Sequence, residues 1–116
     1  SLDDNALHAL GIESSSGEHV KRLAQLAYAA GADGVVCSPL ESALVRETLG
    51  DDALIVTPGV RPQWAAANDQ MRITTPSQAL KNGSTHLVIG RPITAANDKA
   101  QAILDILEEM QEACNE

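Results

Sequence analysis

Phenylalanine is absent from the 116 residues, and tyrosine and tryptophan occur once each. A core must therefore be built from Ala, Leu, Ile and Val, the composition of helices packed on parallel strands, and an all-β sandwich is disfavoured. Cysteine is scarce too. Cys37 and Cys114 lack the density or spacing of a disulfide or zinc framework, which points to a reducing, cytoplasmic compartment. Lys and Arg number 8 against 16 Asp and Glu, a formal net charge of −8. The basic face that nucleic acid or an anionic membrane requires is missing, so neither is expected as a partner. No apolar stretch approaches the roughly 20 residues that cross a bilayer, and no signal peptide is visible. His8, His19 and His86 have no ligand spacing with one another or with the cysteines, so no metal centre is expected. Neither a P-loop nor a Gly-x-Gly-x-x-Gly motif follows a strand, which argues against a nucleotide triphosphate or dinucleotide site.

What is present is a succession of short β-α units. Residues 1–116, at 12.2 kDa, make one unit with no linker or low-complexity segment. Asp3 to Leu10 reads as a short helix or turn closed by Gly11. Ser15 and Glu18 form a capping-box pattern for a helix to about Ala30, with Val20, Leu23, Ala24, Ala27 and Ala30 at helical spacing. Gly34 to Cys37 is the first strand. Ser38-Pro39-Leu40-Glu41 supplies an N-cap serine, a proline at the first helical position and a glutamate three past the cap, opening a helix that ends near Gly50. Leu54 to Thr57 is the second strand, and Pro58 to about Ile73 has no periodicity. Thr75-Pro76-Ser77-Gln78 repeats the capping pattern for a short helix to Asn82. His86 to Ile89 is the third strand. A long helix follows from Asn97 or Asp98 to about Cys114, with Ala100, Ile103, Leu104, Leu107 and Met110 on one face. Closely spaced β-α units imply parallel strands with right-handed crossovers and all functional loops on one edge. The chain is thus an α/β unit of about three parallel strands with flanking helices. It is either half of a (β/α)₈ barrel or a small doubly wound sheet. The opening Ser-Leu-Asp-Asp, with neither methionine nor a preceding strand, suits a start at the top of an element, by engineered trimming or as a true fragment.

Two apolar runs end in glycine and arginine: Leu54-Ile55-Val56-Thr57-Pro58-Gly59-Val60-Arg61 and Leu87-Val88-Ile89-Gly90-Arg91. Glycine lets a backbone amide approach an anion, and arginine adds a planar fork of donors, a pairing suited to phosphate. Arg91 and Gly90 are the stronger candidates. Arg61 could join Arg91 on one phosphate, or be carried elsewhere by its loop. On chemistry alone Gln70 is a solvated loop amide, Trp64 a loop-packing or interface residue, and Asp69 with Arg72 a loop-holding pair. Cys37-Ser38 at a strand end resembles a nucleophile position, but Ser38 is accounted for as a cap and no base is indicated.

The blocks Asp33-Gly34-Val35-Val36-Cys37-Ser38, Val56-Thr57-Pro58-Gly59-Val60-Arg61-Pro62, Asp69-Gln70 with Arg72-Ile73, Thr75-Pro76 and Val88-Ile89-Gly90-Arg91-Pro92-Ile93-Thr94 together resemble the C-terminal half of the bacterial orotidine 5′-phosphate decarboxylase family. The resemblance spans essentially the whole chain. It implies the C-terminal portion of a (β/α)₈ barrel, in which Arg61, Gln70, Gly90 and Arg91 match the positions that hold the substrate phosphate. Gln70 would also reach the pyrimidine, and Ser1 matches a pyrimidine-contacting serine. The family chemistry belongs to an Asp-x-Lys-x-x-Asp motif, which Lys21, Lys81 and Lys99 do not provide. The resemblance therefore implies orotidine and uridine 5′-phosphates as ligands, and a phosphate grip without the catalytic array. The chain alone is expected to be inactive. A partnering N-terminal half, a homodimeric parent enzyme and no metal or organic cofactor are also implied. Two other functions stay open: another phosphate-binding barrel, such as a sugar-phosphate epimerase or related decarboxylase, and a non-catalytic phosphate-binding or assembly module.

Overall fold

The computed structural model describes residues 2–65 and 73–115. Six helices and three strands are placed among them: α1 (Asp4–Ala9), α2 (Ser16–Ala29), β1 (Gly34–Val36), α3 (Ser42–Leu49), β2 (Leu54–Thr57), α4 (Pro76–Lys81), β3 (His86–Leu87), α5 (Arg91–Thr94) and α6 (Lys99–Cys114). The strands form one parallel sheet in the order β1-β2-β3, with Val35 facing Ile55, Val36 facing Val56, and Thr57 facing Leu87. Gly34 is required where β1 meets β2, because a Cβ there would fall 1.9 Å from the carbonyl oxygen of Leu54.

Side chains alternate across a strand, so this register divides the sheet cleanly into two faces. Val35, Cys37 and Ile55 turn toward α2 and α3, where Ala24, Val45, Cys37 and Ile55 form the core with Val20 and Leu49 packed around it. Val36, Leu54 and Val88 turn the other way and are 70%, 44% and 52% exposed, while Ile55 is fully buried. Among the described residues, helices cover only one face. A doubly wound sheet would carry them on both, so the barrel-wall alternative is the one the chain adopts.

The expected caps are largely made. Ser15 accepts the Glu18 N–H, and Thr75 and Gln78 complete a reciprocal capping box. Asp4 reaches from α1 to accept the Ser16 N–H at 2.7 Å, a bond that holds its carboxyl below the usual carboxylate range. Because that pKa is depressed, the contribution is present at neutral pH and is lost as the carboxyl protonates in acid.

Three expectations need correction. Ser38 caps a single 3₁₀ turn, Pro39–Glu41, and α3 begins only at Ser42 without a side-chain cap, so the Ser38–Glu41 box is not formed. The third strand is His86–Leu87 and does not reach Ile89, and a helical turn, α5, opens at Arg91, where proline at the second position presets the helical φ. The third correction is the α6 face. The helix buries Ala102, Ile106 and Ala113, whereas Ile103, Leu104 and Leu107 are exposed. It packs on α4 and α5, with two alanines flanking Ile106 on the inward face while the larger stripe points outward. Leu23 of α2 is likewise exposed.

The one-sided core yields a differential test. Ile55→Ala should cost about 2–5 kcal/mol, and Val88→Ser less than about 1 kcal/mol, measured by urea denaturation. Equal losses would contradict a sheet buried on one face.

Candidate functional site

Because all three strands are parallel, their C-terminal ends lie along one edge, at Cys37-Ser38, Pro58-Gly59 and Val88-Ile89-Gly90. Gly59 turns the chain out of β2 with φ +75°, a conformation that side-chain-bearing residues rarely adopt. Val60 then re-enters the structure as a buried anchor, paired through an isolated parallel bridge with Thr74. The Arg61 N–H donates to the Thr74 carbonyl at 3.0 Å. These bonds clamp together the two ends of the segment between 61 and 74, and its exit passes directly into the Thr75 cap of α4.

Arg61 is half-buried and its Nη1 donates to the Ala65 carbonyl at 3.1 Å, so one arm of its fork is engaged by its own turn. Arg91 is exposed, and its guanidinium makes no hydrogen bond or ion pair among the described residues. Gly90 caps α5, and its carbonyl accepts the N–H groups of Ile93 and Thr94 at 2.9 and 3.0 Å. The register relates the two arginines. Each lies four residues beyond one member of the facing pair Thr57 and Leu87, on adjacent strands. The structure thus brings Arg61, Gly90 and Arg91 to one sheet edge. Ser1, Gln70, Asp69 and Arg72 lie outside the described residues. Trp64 is exposed on a 3₁₀ turn, Gln63–Ala65.

Behind this edge, α6 serves both arms. Glu109 of α6 accepts the Ser77 N–H at the start of α4 at 2.9 Å, and α5, which begins with Arg91, also packs on α6. An open cavity of about 1080 Å³ adjoins the edge, its lining including Ser38, Leu40, Gly59, Thr74, Gln78 and Lys81. Neither Arg61 nor Arg91 is part of that lining. It is a neighbour of the arginine edge, shaped by α4 and the β1–α3 turn.

Cys37 does not supply a nucleophile. Burial pushes its thiol pKa up, a hydrogen bond with Ser42 opposes this, and the charge of Glu41 adds to the rise. The thiol therefore stays protonated at neutral pH. No group of three His, Cys, Asp or Glu side chains among the described residues is arranged to hold a metal ion. Thr57 was not singled out by motif reasoning. Its hydroxyl is fully buried and donates to Ser84, and the one signal for it was a polar residue closing an otherwise apolar strand.

A one-faced parallel sheet with its loops gathered at the strands' C-terminal edge is a section of β/α-barrel wall. Residues 1–106 match the model of the family described as Orotidine 5'-phosphate decarboxylase / HUMPS. An orotidine 5'-phosphate decarboxylase from a Caulobacter species is 56% identical over 110 residues, covering 95% of this chain and 48% of the relative. One from Heliobacterium modesticaldum is 52% identical over 113 residues, covering 97% and 46%. The crystal structure of orotidine 5'-phosphate decarboxylase from Lactobacillus acidophilus superimposes with a TM-score of 0.77 at 40% identity, covering 94% of this chain and 44% of that one. The chain belongs to the orotidine 5'-phosphate decarboxylase / HUMPS family, and its fold is a portion of that family's (β/α)₈ barrel. It spans about half the length of the curated relatives it matches.

The two thiols should differ sharply. Under native conditions exposed Cys114 should be alkylated about tenfold or more faster than Cys37, followed by mass spectrometry of the intact chain. Modification of both at one rate would contradict the buried, protonated state of Cys37.

Proposed function

We propose that the chain forms the phosphate-gripping half of an orotidine 5′-phosphate decarboxylase site, in an enzyme that converts orotidylate to uridylate and carbon dioxide in pyrimidine synthesis. The observation that carries this reading is the matched placement of Arg61 and Arg91 beyond facing residues of adjacent strands. In a chain of net charge −8, two cations at one edge are a local exception with a local purpose. Together they match the charge of a phosphate dianion, and each offers a fork of parallel donors. In this reading the Gly90 backbone admits the anion closely, Gln70 joins the phosphate grip and reaches the pyrimidine, and Ser1 contacts the ring. Identity above 50% to proteins named orotidine 5'-phosphate decarboxylase favours this activity over another phosphate-binding barrel or a non-catalytic module.

The reacting end is supplied from outside these 116 residues. A lysine that protonates the carbanion left by departing carbon dioxide, and aspartates that stress the substrate carboxylate, require the Asp-x-Lys-x-x-Asp pattern that Lys21, Lys81 and Lys99 lack. Binding energy realised at the remote phosphate would then orient the ring against that array. An N-terminal half-barrel would cover the bare sheet face carrying Val36, Leu54 and Val88. The assembled enzyme is a cytoplasmic homodimer in this proposal.

Release of carbon dioxide from carboxyl-labelled orotidylate tests the division of labour. The chain alone should release none, and mixing with an N-terminal half bearing the motif should restore turnover. Arg91→Ala in that mixture should lower kcat/KM by about tenfold or more. Turnover by the chain alone, or an unchanged kcat/KM in Arg91→Ala, would contradict the assignment.

A further inference from the structure

We propose that Thr57 is a positioning residue, its buried hydroxyl chain to Ser84 and Ser42 fixing the spacing between the two arginine-bearing strand ends. The inference rests on the phosphate reading above. Thr57 Oγ1 donates to Ser84 Oγ at 3.1 Å, and Ser84 Oγ shares a second hydrogen bond of 3.1 Å with Ser42 Oγ on α3. All three side chains are buried. On its main-chain side, the Thr57 carbonyl accepts the Val88 N–H at 2.9 Å. One residue therefore ties the strand that leads to Arg61 both to the entry of β3 and to the backbone three residues before Arg91.

The same linkage continues one step down the sheet. Thr85 Oγ1 accepts the Ile55 N–H at 2.9 Å and donates to the Ile55 carbonyl at 3.1 Å, while the Thr85 N–H donates to that carbonyl at 2.8 Å. Arg46 of α3 donates from Nε and Nη2 to the Gly83 carbonyl at 3.2 and 2.8 Å, holding the turn that presents Ser84. The β2–β3 junction is thus bonded by side chains as well as by the sheet ladder.

Stability alone does not account for a hydroxyl at this point. Valine has the shape of threonine, and Ile55 on the same strand face packs with Val45 and Cys37 through apolar contact only. Burying a hydroxyl is costly unless it is bonded, so replacing bonded groups by apolar ones of similar shape can be nearly neutral. Directional bonds do supply what apolar contact does not, a fixed offset and rotation of one strand end against the other. Bidentate recognition of one phosphate by two guanidinium groups on neighbouring strands depends on that offset.

Phosphorus NMR titration of the 116-residue chain with inorganic phosphate tests this, with thermal melts recorded in parallel. Thr57→Val should raise the phosphate Kd about fivefold, and Thr57→Ser, which keeps the hydroxyl, should restore the original affinity. If Thr57→Val does not fold, Ser42→Ala at the far end of the hydroxyl chain should still raise Kd about twofold. A lowered Tm with unchanged phosphate affinity well below the melt would overturn the positioning role and leave the phosphate site standing. Absence of phosphate binding to the unsubstituted chain, or binding indifferent to Arg91→Ala, would overturn the site itself and this inference with it.

Discussion

Handedness is the constraint on which the rest of this structure depends. Three parallel strands are laid down in the order β1-β2-β3, each new one beside the last on the same side. Right-handed crossovers in one constant direction must place every connecting helix on the same face of the sheet. Had the order reversed, one helix would have crossed to the other face and a doubly wound sheet would have resulted. From that rule follow the placement of α3 over the core and the bare face of Val36, Leu54 and Val88, and the parallel order gathers the strand exits at one edge.

Charge is distributed in accord with that division. Acidic groups are used as structural acceptors at helix starts: Asp3 and Asp98 as N-caps, Asp4 on the first residue of α2, and Glu109 on the start of α4. Such carboxylates satisfy N–H groups that a helix leaves unpaired and favour its dipole. The arginines split differently. Arg46 is spent on the carbonyls of Gly83 and Gly50 and Arg61 partly on Ala65, whereas the guanidinium groups of Arg22, on α2, and Arg91, at a strand exit, have no partner among the described residues. Of these two, Arg91 is the one placed after a glycine at the sheet edge.

Much of this was legible in the sequence because local rules and the global fold agree here. The run Leu54 to Thr57 matches its strand, and Thr75-Pro76-Ser77-Gln78 forms the capping box its residues announce. The two Gly-Arg runs end where their strands leave the sheet, at its C-terminal edge. What failed did so where tertiary context decides. The apolar stripe Ile103, Leu104 and Leu107 has the spacing of a buried face, yet α6 turns Ala102, Ile106 and Ala113 inward and packs on α4 and α5. Periodicity identifies an apolar face and not the surface that covers it. Choosing between a barrel wall and a doubly wound sheet needed the strand order, a long-range property that no window of residues carries. The hydroxyl chain of Thr57, Ser84 and Ser42 was hidden for the same reason, since its members come from three separate segments.

A phosphate held between Arg61 and Arg91 at the shared strand edge would be visible in an electron-density map of crystals grown with inorganic phosphate. The expected result is an anion bound by the Arg91 guanidinium and the Gly90 backbone, with Arg61 reaching the same anion. An edge without phosphate while the anion sits elsewhere, or Arg91 turned away to pair with a helix carboxylate, would contradict it.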